Sequence, residues 1–362
     1  MENERICVLC ECTLENDDDC VEVEDSIVCS DCSCEECTVC QCCGRRVFNV
    51  NATADEHICV CDSCYERCYT RCEQCSRIIH SDDVYGDEDE EYCADCYSRQ
   101  NQAIREYGYK PRPVFYGSGS RFFGVELEID YGGRDEDNAE ALLEIANRHH
   151  KHIYIKSDGS LDDGMEIVTH PMSLVYHLEE FPWEELLHQA VHMEYRSHQT
   201  STCGLHIHVD RTSLGTNLAI QEETISRILY FVETHWNEML RFSRRSEANM
   251  NRWAARYGYE HQPKAILDKA KSAYGRYTAV NLCNEHTIEF RMFRGTLRRN
   301  TLFATLQLVE HICNAALYLS DEEIKGLSWS DFVSHINETE LIQYLKERRL
   351  YINEEIKTEE EL

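Results

Sequence analysis

Three short runs of the chain, GVELEID at 124–130, CGLHIHVD at 203–210 and TIEFRMFRGTL at 287–297, place acids, imidazoles and guanidinium groups two residues apart among apolar residues. A period of two predicts strands, with Val125, Leu127 and Ile129 on one face and Glu126, Glu128 and Asp130 on the other. By the same spacing His206, His208 and Asp210 share a face. Glu289 and Arg291 project together while Ile288, Phe290 and Met292 pack behind them. Around these runs the pattern predicts strands at 122–130, 152–156 and 165–170, a helix at about 136–150 and a turn at 157–160. Helices are predicted at 173–194, interrupted at Pro182, and at 217–243, with strands at 204–210 and about 277–293 and helices at 300–319 and 321–348. Strands separated by helices, several of them joined by short connections, predict an α+β fold with the functional residues on the strands.

Burying a carboxylate without a partner costs several kcal/mol, so three such strands in one sheet call for shared metal ions or an anionic ligand. The chain has no Walker loop or Gly-rich phosphate cradle, which leaves metals and basic side chains to hold any phosphate. Each strand alone also fits a solvated face, and Glu289 with Arg291 also fits a structural ion pair. Cys203, Cys283 and Cys313 read as small core residues.

The length of 362 residues allows two or three domains, and the composition divides the chain unevenly. Residues 1–100 carry 26 Asp and Glu against 7 Arg and no Lys, a net of −19; the rest carries 41 acids against 29 bases, a net of −12. Neither part suits a nucleic-acid backbone, whose binding depends on Lys and Arg displacing counterions. No apolar run approaches the roughly 20 residues of a membrane span, and MENERICVLC lacks a signal-peptide core, so a cytoplasmic protein is expected.

Nineteen of the 22 cysteines precede residue 97. In a reducing compartment, clustered thiols more often hold metal than form disulfides. Cys7 and Cys10 are followed by Cys29 and Cys32, Cys40 and Cys43 by Cys61 and Cys64, and Cys72 and Cys75 by Cys93 and Cys96. Each unit is CxxC, 17 or 18 residues, then CxxC, and successive units start 33 and 32 residues apart. This threefold repeat predicts that residues 1–98 form three tandem four-cysteine modules, zinc ribbons or LIM-like units built of small hairpins, with about three structural Zn²⁺. Zinc binding worth roughly 10–16 kcal/mol per site would fold segments that lack a core. Cys34 and Cys37 form a further CxxC and, with Cys12, Cys20, Cys42, Cys59 and Cys68, leave the partition of ligands open.

Residues 99–118, with Pro, Gly and Ser and no cysteine, read as a linker to a second domain at 119–320, followed by a helical extension and acidic tail at 321–362. In that second domain the ordered set GVELEI, SDGS, MEIVTHP, GLHIHVD, RYTAVNL and TIEFRMFRGTL resembles the amidoligase family, which is similar to glutamine synthetase and glutamate–cysteine ligase. The resemblance implies a curved antiparallel sheet flanked by helices, with ATP and Mg²⁺ or Mn²⁺ on its concave face. It implies Glu126, Glu128, Glu166, His206 and Glu289 as metal ligands and His208 as a contact to ATP phosphate. Arg291 would hold the transferred phosphoryl group. Arg276, Asn281 and Arg294 would contact nucleotide or substrate, and Asp158 would orient the attacking amine. The activity implied is activation of a carboxylate as an acyl phosphate, which an amine attacks to give an amide. Zinc modules would recruit a peptide or protein substrate, and analogy to related synthetases suggests a homo-oligomer.

Two other classes fit parts of the chain. A hydrolase could use His206, His208 and a glutamate around one Zn²⁺, though the arginine-bearing third strand and the surplus of glutamates speak against it. A non-catalytic adapter could bind partners through its zinc modules, although every expected acidic ligand is present.

Overall fold

The computed structural model describes residues 5–14, 20–86, 91–100, 102–272 and 275–351, and the chain divides into two compact units, Met1–Gln102 and Ala103–Leu362. In the first unit, antiparallel hairpins pair Cys20–Val23 with Ser26–Cys29, Cys37–Val39 with Arg46–Phe48, Ala52–Ala54 with Cys59–Cys61 and Tyr69–Arg71 with Ile78–His80. Short helices lie at Ser30–Glu36, Asp62–Cys68 and Ala94–Gln100.

The first CxxC of each repeat closes a tight turn. Glu11, Gly44 and Ser76 donate their N–H groups to the carbonyls of Cys7, Cys40 and Cys72. All three have left-handed backbones, with φ of 62°, 72° and 58°. That conformation is free for Gly44 but costs Glu11 and Ser76 about 1–2 kcal/mol each, so forces beyond local preference hold the turn. The apolar core cannot supply much of that force: in the second repeat the buried cluster is only Cys40, Val47, Val60, Cys61 and Cys64.

The second unit is α+β. Among the described residues its strands are β1 (Ile104–Arg105), β2 (Phe122–Ile129), β3 (Ile153–Lys156), β4 (Met165–Thr169), β5 (Met172–Ser173), β6 (Gly204–Asp210), β7 (Val280–Asn281) and β8 (Thr287–Arg294). They form one sheet in the order β1-β3-β4-β2-β6-β8-β7, with β5 pairing the start of β2. All pairs are antiparallel except β1 with β3.

Val125, Leu127, Ile129, Ile167, Leu205, Ile207, Ile288 and Phe290 are fully buried on one face. Helices α1 (Glu136–Ala146) and α2 (Trp183–His192) pack on each other. The long α7 (Arg299–Tyr318) packs against α3 (Leu218–Thr234). Between these last two come α4 (Trp236–Ser243), α5 (Glu247–Trp253) and α6 (Pro263–Ser272).

Several expectations need correction. The long strand expected at 277–293 is the β7–β8 hairpin, because Leu282 to His286 turn the chain between the two strands. The helix expected at 217–243 breaks at His235, whose ring turns to the carbonyl of Leu327 at 3.1 Å. Helices α5 and α6 fall where no helix was expected. The extension is three short helices, α8 (Asp321–Gly326), α9 (Trp329–Ser334) and α10 (Thr339–Glu347). Residues 104 and 105, read as linker, are a strand of the sheet. The acidic tail lies outside the described residues.

Candidate functional site

Pairing across the sheet brings the polar residues of the alternating runs into one stripe. Glu126 stands opposite His206, Glu128 opposite Glu166, Glu166 opposite Lys156, His208 opposite Glu289, and Glu289 opposite Asn281. Glu128, Lys156, Glu166, His206, Asn281 and Glu289 are all buried. Nδ1 of His206 is 3.3 Å from Glu126 and 3.6 Å from Glu289, and its Nε2 is 3.9 Å from Glu128. His208 Nε2 lies 3.2 Å from Glu126. Lys156 Nζ is 3.1 Å from Glu166 and 4.0 Å from Glu126, and Arg291 pairs closely with Glu289.

This crowding moves protons in opposite directions. Burial alone would raise Glu126, but His208 and His206 hold its carboxyl well below the usual range. Burial and the charge of Glu126 push Glu166 well above it. For Lys156 burial opposes the ammonium, yet Glu166 and Glu126 raise it overall. Burial opposes His208 likewise, and Glu126 raises it. Neighbouring carboxyls driven apart in this way are a feature of functional sites.

Two ligand sets share one imidazole: Glu126, His206 and Glu289, and Glu128, Glu166 and His206, each with donor atoms within 4.8 Å of one another. Oxygen-rich sets with one imidazole suit Mg²⁺ or Mn²⁺. Glu166 Oε2 and His208 Nε2 are held only by the ion pairs with Lys156 and Glu126, and Arg291 Nε is buried without a hydrogen bond, a donor left for an anion. Asn281 donates Nδ2 to Glu289 at 2.8 Å and so orients a candidate ligand. Asp130 has no free carboxylate oxygen: it accepts from the N–H groups of Tyr131, Asp162 and Asp163 and from the Thr202 hydroxyl.

One irregularity shapes the site. Leu205 pairs with Phe293 but Ile207 pairs with Phe290, so His206 alone faces the two residues Arg291 and Met292. This β-bulge buries both Met292 and Phe293 and returns Arg294 to the polar face, opposite Gly204. Gly204 leaves room there, because a Cβ would come within 2.5 Å of Arg245 Nη2 and 2.6 Å of His206 Nε2.

Glu128, Asp158, His206, Arg276 and Arg291 line a common cavity together with Thr202, Arg245 and Tyr277. Asp158 accepts from the Ser160 N–H at 2.6 Å, and Arg276 hydrogen-bonds the Tyr107 hydroxyl. Arg294 does not reach this cavity and lines a neighbouring one. Lys156 and Arg245 escaped the sequence reading. Lys156 ends the apolar run HIYIK like an ordinary strand terminus, and Arg245 follows a helix in RFSRRSE; only the buried surroundings distinguish them.

In the first unit, three groups of four cysteines have sulfur atoms within 4.8 Å of one another. Cys40, Cys43, Cys61 and Cys64 form one, and Cys72, Cys75, Cys93 and Cys96 another. Separations of 3.8 Å for Cys10–Cys29, 3.9 Å for Cys43–Cys61 and 3.8 Å for Cys75–Cys93 match the edge of a tetrahedron with Zn–S bonds of about 2.3 Å. The remaining group is Cys7, Cys10, Cys12 and Cys29, whereas the spacing assigned Cys32 as the fourth ligand. Cys12 lies 3.3 Å from Cys10, and Cys32 stands beside the same cluster, its thiol pushed up by hydrogen bonds to Cys29 and Cys10. Five thiols therefore converge on the first module.

No protein-family model matches the sequence, and no curated protein matches it. Among solved structures, the fold is similar to the crystal structure of a bifunctional glutathione synthetase from Pasteurella multocida, with a TM-score of 0.35 and 15% identity. That similarity covers 63% of this chain and 46% of the other, so the chain spans less than half of that protein's length. No helix among the described residues is long and apolar enough to cross a membrane.

Proposed function

We propose that the second unit is an ATP-dependent carboxylate–amine ligase of the amidoligase type, on a glutamine synthetase-like sheet. The observation that carries this reading is the pair of ligand sets joined at His206 with Arg291 beside them. Transfer of a phosphoryl group from ATP to a carboxylate brings two anions together, and the site concentrates the groups that this requires. Glu126, Glu289 and His206 would hold one Mg²⁺ or Mn²⁺, and Glu128 and Glu166 would supply carboxylates to a second, since a neutral imidazole has one lone pair and serves one ion at a time. Such ions supply neutralisation of the phosphate oxygens.

Arg291, fixed by Glu289, presents its guanidinium to the transferred group. The carboxylate oxygen attacks the terminal phosphorus, ADP leaves, and the acyl phosphate formed is attacked at carbon by the amine, releasing phosphate. Asp158 borders the same cavity and is the candidate to orient the amine and take its proton. His208 and Arg276 are the candidates to contact ATP. Lys156 neutralises Glu166 and Glu126 and so positions them. The zinc modules would present a peptide or protein substrate.

A one-zinc hydrolase would need both imidazoles on a single ion, but each ligand set contains His206 alone. The test is ADP release by the zinc-loaded protein with ATP and Mg²⁺, screened against pools of amino acids, polyamines and peptides with mass detection of products. Glu128→Ala and Arg291→Ala should each lower coupled turnover at least a hundredfold while zinc content stays unchanged. Full turnover in either variant would sink the site assignment.

A further inference from the structure

The three turns that open the four-cysteine modules are built alike, and one of them differs in its chemistry. The N–H groups of Cys7, Cys40 and Cys72 donate to the carbonyls of Cys12, Arg45 and Arg77 at 3.0, 2.8 and 2.9 Å, so Cys12, Arg45 and Arg77 occupy one structural place. The second cysteine of each turn, Cys10, Cys43 or Cys75, is exposed. In the second module the neighbour at the shared place is a cation, and Arg45 donates Nε to the sulfur of Cys43 at 3.5 Å. In the third, Arg77 lies 3.4 Å from Asp95. In the first, the neighbour is another exposed thiol, with the sulfur of Cys12 3.3 Å from that of Cys10. Cys10 also lies 3.8 Å from Cys29, so it belongs to the metal-ligand set and touches Cys12 at the same time.

A cysteine that ligates a divalent cation is held as its thiolate, the nucleophilic form of the side chain. An exposed thiolate with a second thiol beside it is the arrangement that reduces a peroxide and traps the oxidised sulfur as a disulfide. We propose that Cys10 and Cys12 form a modification site for hydrogen peroxide, and that oxidation of this pair strips the first module of its metal. The Cys10 sulfur attacks a peroxide oxygen, the O–O bond breaks, hydroxide leaves and Cys10 becomes a sulfenic acid. Cys12 then attacks the Cys10 sulfur, and its thiol proton leaves with the sulfenic hydroxyl as water. One thiolate, one thiol and one peroxide thus give one disulfide, one hydroxide and one water, both electrons coming from the sulfur pair. Five thiols converge on this module, so the reaction leaves Cys7, Cys29 and Cys32, whichever of Cys12 and Cys32 had completed the set. Three ligands leave a tetrahedral ion with an open position, which a competing chelator can enter. The other modules lack the pair in this form. Cys42 of the second hydrogen-bonds Cys64, which is fully buried and closed to peroxide. Residues 69–100 contain no cysteine besides the four of the third module.

The experiment needs neither ATP nor turnover. The full-length zinc-loaded protein is treated with hydrogen peroxide in the presence of the zinc-binding dye 4-(2-pyridylazo)resorcinol, and release is followed by absorbance. One zinc ion per chain should pass to the dye at least about tenfold faster than the others. After alkylation of free thiols and cleavage at glutamate, residues 5–11 should be found joined to residues 12–15 through Cys10 and Cys12. Dithiothreitol with added Zn²⁺ should restore the lost ion. Cys12→Ser, and Cys12→Arg with the side chain of the other two modules, should lose the fast phase, whereas Cys42→Ser should keep it. A fast phase that persists in both Cys12 variants overturns the proposal. So does treated wild-type protein in which residues 5–11 and 12–15 are not linked, a readout that requires no variant to fold. Loss of zinc that dithiothreitol does not reverse would show oxidation past the disulfide and overturn the pairing.

Discussion

His177 illustrates how far burial can set the chemistry of one side chain. It is fully buried, with Nε2 donating to the Phe123 carbonyl at 3.0 Å and Nδ1 accepting from the Trp183 indole at 3.3 Å. Burial pulls its pKa from 6.5 down to about 4. A neutral imidazole is therefore built into the fold. Because the folded value lies below the unfolded one, its stabilisation is complete above pH 6.5 and is lost as the pH falls toward 4. The loss should reach about 3 kcal/mol. Urea unfolding followed by tryptophan emission from pH 7.5 down to 4.5 should show this slope, and His177→Leu should lose that part of it. A slope unchanged in the variant would assign the effect to other groups. In the candidate site Glu126, Glu128, His206, His208, Glu289 and Arg291 were legible from their alternation with apolar neighbours, whereas Lys156 and Arg245 were not. What alternation could not convey was the partner, as in the hydrogen bond from the Asn281 amide to Glu289.

At the scale of elements, β2, β6 and β8 were legible because both of their faces are specified, one by fully buried aliphatics and one by the acids and imidazoles. The bulge opposite His206 was passed over, since its one mark in the sequence is the adjacent apolar pair Met292 and Phe293, where the alternation of TIEFRMFR breaks. Helices α5 and α6 were missed for a related reason: EANMNRW and PKAILDKAKS are short, and their packing is decided by distant partners. The four-cysteine repeats were legible in spacing, but the spacing did not reveal that Cys12 joins Cys32 at the first cluster. Cys12 occupies the place that Arg45 and Arg77 take in the other two repeats, so counting CxxC units passes over it. Five thiols at one site predict redundancy. Cys12→Ser and Cys32→Ser should each retain three zinc ions per chain by plasma mass spectrometry, and only the double variant should lose one. Loss of an ion in Cys32→Ser alone would make Cys32 indispensable and Cys12 a bystander.

On the scale of the whole molecule the two units rest on different physics. The second has a continuous apolar core, from Phe123 and Leu127 in the sheet to Leu345 in α10. Among its described residues the first has only small clusters around its cysteines. All four tryptophans, Trp183, Trp236, Trp253 and Trp329, belong to the second. A strong chelator should therefore abolish the ordered far-ultraviolet signal of residues 1–102 and leave tryptophan emission in place. A blue-shifted emission that moves red together with zinc release would contradict this independence. The cysteine groups carry one more implication. Four thiolates around a divalent cation have a net charge of about −2, so loading three sites deepens an already acidic stretch by roughly six charges. Metal status is thereby written into the electrostatic field of the unit: the filled form repels polyanions more strongly and draws cationic peptides closer than the empty one.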